Sequence, residues 1–195
     1  MVFLVLEGFS GTGKTTLAKG LEERGWLRLQ ESAHAVPDQV PVADRADTFA
    51  DYSLLGATMV YSSIISKARE KRNIVSEGYL LSDLAYARIR FDLKKSKAFP
   101  SMLNLCREIL TSHEMKPDLY VILQAKPETI EHSRIGKNKS ENNMTEFFKT
   151  RYYKALSEMH EELGEKNVKS VYTGNNLRLT LDTILDALKK RKVVR

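Results

Sequence analysis

The segment Gly8-Phe9-Ser10-Gly11-Thr12-Gly13-Lys14-Thr15-Thr16 satisfies the pattern G-x-x-x-x-G-K-[ST]. An apolar run at residues 2–6 precedes it, and an amphipathic stretch opens at Lys14. The motif therefore falls between a buried strand and a helix, the context in which it binds phosphate. Glycines let the main chain curl so that successive N–H groups point inward at phosphate oxygens, and the helix adds its positive dipole end. Gly8, Ser10, Gly11, Thr12, Gly13, Lys14, Thr15 and Thr16 are thus expected to cradle a nucleoside triphosphate. Lys14 is expected to reach the β- and γ-phosphates, and the Thr15 hydroxyl to take a place on Mg²⁺.

The rest of the chain alternates short apolar strands with amphipathic helices. Strands are expected at residues 2–7, 26–30, 73–77, 119–123 and 168–172. Helices are expected at 14–23, 49–72, 83–93 and 101–115, then through Phe147 to Leu163, and from Leu177 to Leu188. A short helix is expected to open at Pro127. This pattern predicts one α/β domain over 1–195, a doubly wound five-stranded parallel sheet whose ligands lie at the C-terminal ends of the strands. The 195 residues suffice for one sizeable core.

Each strand closes on a polar residue near that mouth. Glu77 is placed to hold Mg²⁺ through its waters, and Glu31, just after the second strand, to orient or deprotonate an acceptor hydroxyl. Arg134, Lys137 and Lys139 stand among Gly, Asn and Ser in a stretch without apolar periodicity. They read as a lid at about 134–145 that brings cations over the transferring phosphoryl group, Arg134 foremost. Phe9, Tyr52, Tyr79 and Arg88 are candidates for the acceptor cleft.

Composition removes other classes. Lys and Arg number 31 against 25 Asp and Glu, a formal charge of +6, much of it in the tail Lys189, Lys190, Arg191, Lys192 and Arg195. Without aromatic–basic interleaving, that surplus reads as solvation of a helix end rather than a nucleic-acid surface. No apolar run is long enough for a signal-peptide core or a membrane helix. Together with a single cysteine, Cys106, this predicts a cytoplasmic protein with no membrane partner. Cys106 reads as a buried structural thiol, and His34, His113, His132 and His160 show no metal-ligand spacing.

The residues also resemble a family. Phe3-Leu4-Val5-Leu6-Glu7-Gly8 with the phosphate loop, and Gln30-Glu31 after strand two, are similar to the opening of thymidylate kinases and their deoxynucleoside kinase relatives. Ser76-Glu77-Gly78-Tyr79 followed by Ser82, Ala85 and Tyr86 resembles the family's D-R-Y…S..A-Y segment. Pro117-Asp118-Leu119 and Glu146-Phe147-Phe148…Tyr153 resemble later landmarks. The resemblance implies a kinase fold with a lid, ATP and Mg²⁺ on the donor side, and adenine lying near Gly174 and Asn175. It also implies a nucleoside or nucleotide acceptor and a possible homodimer.

Departures from the family pattern gather on the acceptor side. Ser10 stands where thymidylate kinases carry an acid, Gly78 where they carry an arginine, and Val60 where a helix arginine meets the acceptor's phosphate. Arg88, Arg90 or Arg45 are the replacements in reach. The expected activity is transfer of the γ-phosphoryl group of ATP to a small nucleoside or nucleotide acceptor. The alternatives are a regulatory nucleotide-binding switch, prompted by Asn138-Lys139-Ser140-Glu141, and a kinase acting on a nucleic acid or another alcohol.

Overall fold

The computed structural model describes residues 1–41, 46–125, 146–173 and 176–190. Five strands, β1 (Phe3–Glu7), β2 (Leu27–Leu29), β3 (Ile74–Glu77), β4 (Leu119–Ala125) and β5 (Val168–Thr173), form one sheet in the order β2-β3-β1-β4-β5. Every adjacent pair is parallel. The helices are α1 (Lys14–Glu22), α2 (Thr48–Ala68), α3 (Leu80–Asp92), α4 (Phe99–Thr111), α5 (Glu146–Glu162) and α6 (Leu177–Lys190), with a 3-10 turn at Ser32–His34.

Side-chain alternation explains why the sheet is covered on both faces. Phe3 and Val5 of β1, Ile74 of β3, and Tyr120 and Ile122 of β4 join the core beneath α2, α3, α4 and α5. Leu4 and Leu6, Val75, and Leu119, Val121 and Leu123 join the opposite core, with Leu17 and Leu21 of α1 and Leu181 and Ile184 of α6. The central strand β1 is buried over its whole length. Burying apolar side chains contributes about 1.5–3 kcal/mol each, so these two layers dominate the stabilising side of the balance.

The expected elements within the described residues coincide with the observed ones to within two residues, except that α2 stops at Ala68 and α4 at Thr111, each four residues early, and α3 starts at Leu80, three residues early. The start of α3 differs because Tyr79 adopts an extended conformation (φ −160°) and leads directly into the helix. Cys106 is buried, as its apolar neighbours imply. Two local interactions tie the strand starts together. Asp118 Oδ2 accepts from Phe3 N–H at 2.7 Å, and Asn73 Oδ1 accepts from Val2 N–H at 2.9 Å.

The strand order places β2 and β3 on one side of β1 and β4 and β5 on the other. In such sheets the crevice opens outside the C-terminal end of the central strands. Gly8 follows Glu7 at that end of β1, and Gly78 follows Glu77 at that end of β3.

Candidate active site

The loop between β1 and α1 has the conformation its glycines permit. Gly8 has φ +146°, and a Cβ there would lie 2.7 Å from the Leu123 carbonyl oxygen and 2.8 Å from Thr12 Oγ1. Only glycine fits. Gly13 caps α1 in the left-handed region (φ 92°), and no side chain caps that N-terminus. The first-turn N–H groups are left for an anion. Thr12 Oγ1 donates to Phe9 O at 2.8 Å, closing the loop on itself. From α5, the Tyr153 hydroxyl accepts from Phe9 N–H (3.4 Å) and donates to Leu123 O (2.9 Å), pinning the loop to the end of β4.

Lys14 is buried and folds back across the loop. Its Nζ donates to Gly8 O at 2.6 Å and Phe9 O at 3.3 Å, and lies 2.8 Å from Glu31 Oε1. One face of Glu77 meets Thr15, whose hydroxyl donates to Oε2 at 2.5 Å. The other meets Arg28 of β2, whose Nε donates to Oε1 at 2.6 Å. Arg28 offsets the cost of burying the Glu77 carboxylate. Thr15 and Glu77 thus present adjacent hard oxygen donors at the start of α1, the donor type that Mg²⁺ takes beside phosphate oxygens and water. Among the described residues no group of three or more His, Cys, Asp or Glu forms a metal cluster.

Beside the loop lies a cavity of about 280 Å³, walled by Ser10, Lys14, Glu31, Glu77, Gly78 and, deeper, residues of α2, α3 and α5. Asp83 of α3 forms part of its wall. Ser32 Oγ donates to Asp83 Oδ1 at 3.0 Å and Thr58 Oγ1 to Oδ2 at 2.5 Å. Burial is the main cause that pushes the Asp83 carboxyl from 3.8 up to about 7; the two hydroxyls and Arg90 pull the other way. Arg90, also on the wall, is buried and ion-paired with Asp51 of α2, its Nε 2.9 Å from Oδ1. Glu7 accepts from Ser82 and is wholly buried, and desolvation holds its carboxyl well above the usual range.

Several expected site residues converge here. Ser10, Lys14, Glu31, Glu77 and Tyr79 all border the cavity, with Thr15 joined to Glu77. Tyr79 is anchored by a 2.7 Å hydrogen bond between its hydroxyl and Ser62, and burial raises that phenol to about 12. Three others are placed elsewhere. Phe9 turns into the core against Tyr152, ring centroids 5.9 Å apart. Tyr52 is exposed, because α2 faces inward through Asp51, Leu54, Leu55, Thr58 and Ser62. Arg88 pairs with Asp92 and lies over the Phe99 ring at 5.1 Å; Arg90, two residues on, takes the inward face. Arg45, Arg134, Lys137, Lys139, Gly174 and Asn175, the short helix at Pro127 and the lid at 134–145 lie outside the described residues.

The sequence reading passed over Asp83, Thr58, Ser32 and Arg28. For Asp83 a signal exists: it lies three residues after Leu80 and four before Ala87, an acid on the apolar face of a helix. Asp51 on α2 carries the same mark, with Leu54 and Leu55 as its helical neighbours.

No protein-family model matches the chain, and no curated protein matches it in sequence. Solved structures do match. A thymidylate kinase from Candida albicans superposes with a TM-score of 0.71 at 16% identity, over 98% of this chain and 92% of that chain. Deoxyadenosine kinase from M. mycoides with bound dATP superposes at 0.62 and 15% identity, over 97% and 100%. The same kinase with products dCMP and dCDP gives 0.60 at 14% identity, over 97% and 99%. The chain has a P-loop nucleotide kinase-like fold, an α/β architecture on a five-stranded parallel sheet. Among the described residues no helix is long and apolar enough to cross a membrane.

Proposed function

We propose that the protein is an ATP-dependent phosphotransferase that moves the γ-phosphoryl group of ATP to a small acceptor of the nucleoside or nucleotide class. The observation that carries this reading is the contact of Lys14 with Glu31 at 2.8 Å, at the join between the phosphate loop and the cavity. The donor-side cation and the acceptor-side carboxylate meet where a γ-phosphoryl group would pass from one molecule to the other. The kinase fold of the solved neighbours supports it.

The residues divide by role. The loop amides from Ser10 to Thr15 and the N-terminus of α1 bind the triphosphate. Lys14 exchanges its loop carbonyls and Glu31 for β- and γ-phosphate oxygens, stabilising the charge that develops on transfer. Thr15 and Glu77 would hold Mg²⁺, which when bound neutralises the phosphates. Glu31 orients the acceptor and, where the acceptor group is a hydroxyl, takes its proton. Gly8 and Tyr153 keep the loop in its receptive shape. Arg134 closing over the site and Asn175 lying against adenine complete the proposal, as do a single domain over 1–195, a cytoplasmic setting and pairing into a homodimer.

The test is ADP release from Mg·ATP with a panel of nucleosides, nucleoside monophosphates and small alcohols. At least one acceptor is expected to stimulate the wild type. Lys14→Ala should abolish the stimulation, and Glu31→Gln should lose turnover while still binding ATP. A panel with no stimulating acceptor would overturn the transferase reading. Full turnover in Glu31→Gln would remove that residue from the chemistry.

A further inference from the structure

Arg28 sits in the middle of β2, between Leu27 and Leu29 and opposite Val75 of β3. Leu29 turns to one core of the sheet, so Arg28 turns to the other, where α1 packs. Its side chain is only 11% exposed. A guanidinium in such a place is costly unless a carboxylate and hydrogen bonds compensate it.

The compensation comes from the carboxylate assigned to the metal. Arg28 Nε donates to Glu77 Oε1 at 2.6 Å, and its Nη1 lies 3.5 Å from Glu22 Oε2 at the end of α1. One oxygen of Glu77 is therefore taken by a charge that persists at any working pH, and the other accepts from Thr15 at 2.5 Å. Lys14, next to Thr15, is likewise paired, with Glu31. A divalent cation arriving here without nucleotide meets carboxylates already balanced by cations, and too few oxygens for the octahedral shell that Mg²⁺ demands. A triphosphate supplies both the missing negative charge and the missing oxygens.

We propose that Arg28 is a positioning residue that makes metal loading depend on nucleotide. It holds Glu77 by Oε1, leaves Oε2 toward Thr15, and cancels the charge that would draw a divalent cation into the site before the triphosphate arrives. This inference rests on the phosphotransfer reading, in which Thr15 and Glu77 hold Mg²⁺. Metal then enters and leaves with the nucleotide, and Arg28 keeps Glu77 in place between turnovers. Arg28 acts through Glu77 and takes no part in the bond changes.

The experiment titrates the full chain, without nucleotide, with Mn²⁺, which takes the same oxygen donors as Mg²⁺. Unbound Mn²⁺ is read by its paramagnetic resonance. Arg28→Gln keeps a donor for Glu77 Oε1 and removes the charge, whereas Arg28→Lys keeps the charge. Arg28→Gln should bind Mn²⁺ about tenfold or more tightly than the wild type, because a unit charge beside a poorly solvated divalent site weighs heavily. Arg28→Lys should stay within about threefold of the wild type, its ammonium replacing the guanidinium as counter-charge. Adding Glu77→Gln to Arg28→Gln should remove the gained affinity, which assigns the ion to Glu77 rather than Glu22. That double variant exchanges the ion pair for neutral groups of similar volume and is expected to fold, as a cooperative melting transition verifies. Mn²⁺ alone should raise the melting temperature of Arg28→Gln and leave that of the wild type unchanged, so a variant that melts early still gives a reading. A pair serving stability alone would lower the melting temperature of Arg28→Gln without creating a metal site. That result overturns the proposal and leaves the phosphotransfer reading standing, as does a gain in affinity that persists in the double variant. A wild type that binds no Mg·ATP in calorimetric titration overturns both.

Discussion

Replacing Asp83 by Asn should change how stability depends on pH. Asp83 is buried among Thr58, Ser32 and Arg90, with Asp51 and Glu7 nearby, and burial outweighs the groups that favour its ionised form. Its carboxyl moves from 3.8 to about 7 on folding. Because the folded value is the higher one, the native state binds the extra proton between those two values. Stability therefore falls as pH rises through that window, and the loss is complete above the folded value. A shift of about 3 units at 1.36 kcal/mol each gives roughly 4 kcal/mol, of which rather more than half falls between about pH 5 and pH 8. The assay is urea unfolding of wild type and Asp83→Asn at matched ionic strength across that range. The wild type should lose about 2–3 kcal/mol more than the variant on going from pH 5 to pH 8. Asp83→Asn should consequently gain on the wild type at the alkaline end. Parallel pH profiles, or a variant that loses more than the wild type, would refute the reasoning.

Four further outcomes follow from the same geometry. Arg90→Met leaves Asp51 buried without its cation and should cost about 3–5 kcal/mol in urea unfolding; a change below about 1 kcal/mol would contradict the burial of that pair. Gly8→Ala forces a methyl group against the Leu123 carbonyl at a positive φ, which should cost about 1–3 kcal/mol and abolish nucleotide binding, read by thermal melting with and without Mg·ATP. Tyr153→Phe removes the hydroxyl bridging Phe9 and Leu123 and should cost about 0.5–1.5 kcal/mol while weakening ATP binding more than acceptor binding. Glu77→Gln should raise the Mg²⁺ concentration needed for half-maximal turnover, with the protein still folded.

Much of the architecture is legible in the sequence because it rests on local rules. Strand β4 declares itself through the unbroken apolar run from Leu119 to Leu123, which only a sheet covered on both faces can bury. The phosphate loop is legible for a different reason: its spacing encodes backbone conformations, with Gly8 where a Cβ would clash and Gly13 in the left-handed region. The cavity wall is harder to read. Arg88 and Arg90 are equally basic and nearly adjacent, and which one turns inward depends on the phase of α3 against α2, set by packing across the core. Phe9 illustrates the same limit, since its neighbour in space, Tyr152, comes from a helix more than 140 residues later in the chain. Arg28 and Glu77 meet because β2 and β3 pair in parallel with Arg28 opposite Val75, a register that no short window of sequence reveals.

Titration calorimetry of Mg·ATP against the wild type and Lys14→Ala tests most directly whether the loop after β1 grips a triphosphate. The wild type should bind one equivalent, and the variant should bind at least about a hundredfold more weakly, the loss of a charged donor aimed at the phosphates. Equal affinity in the two proteins, or no binding by the wild type, would contradict it.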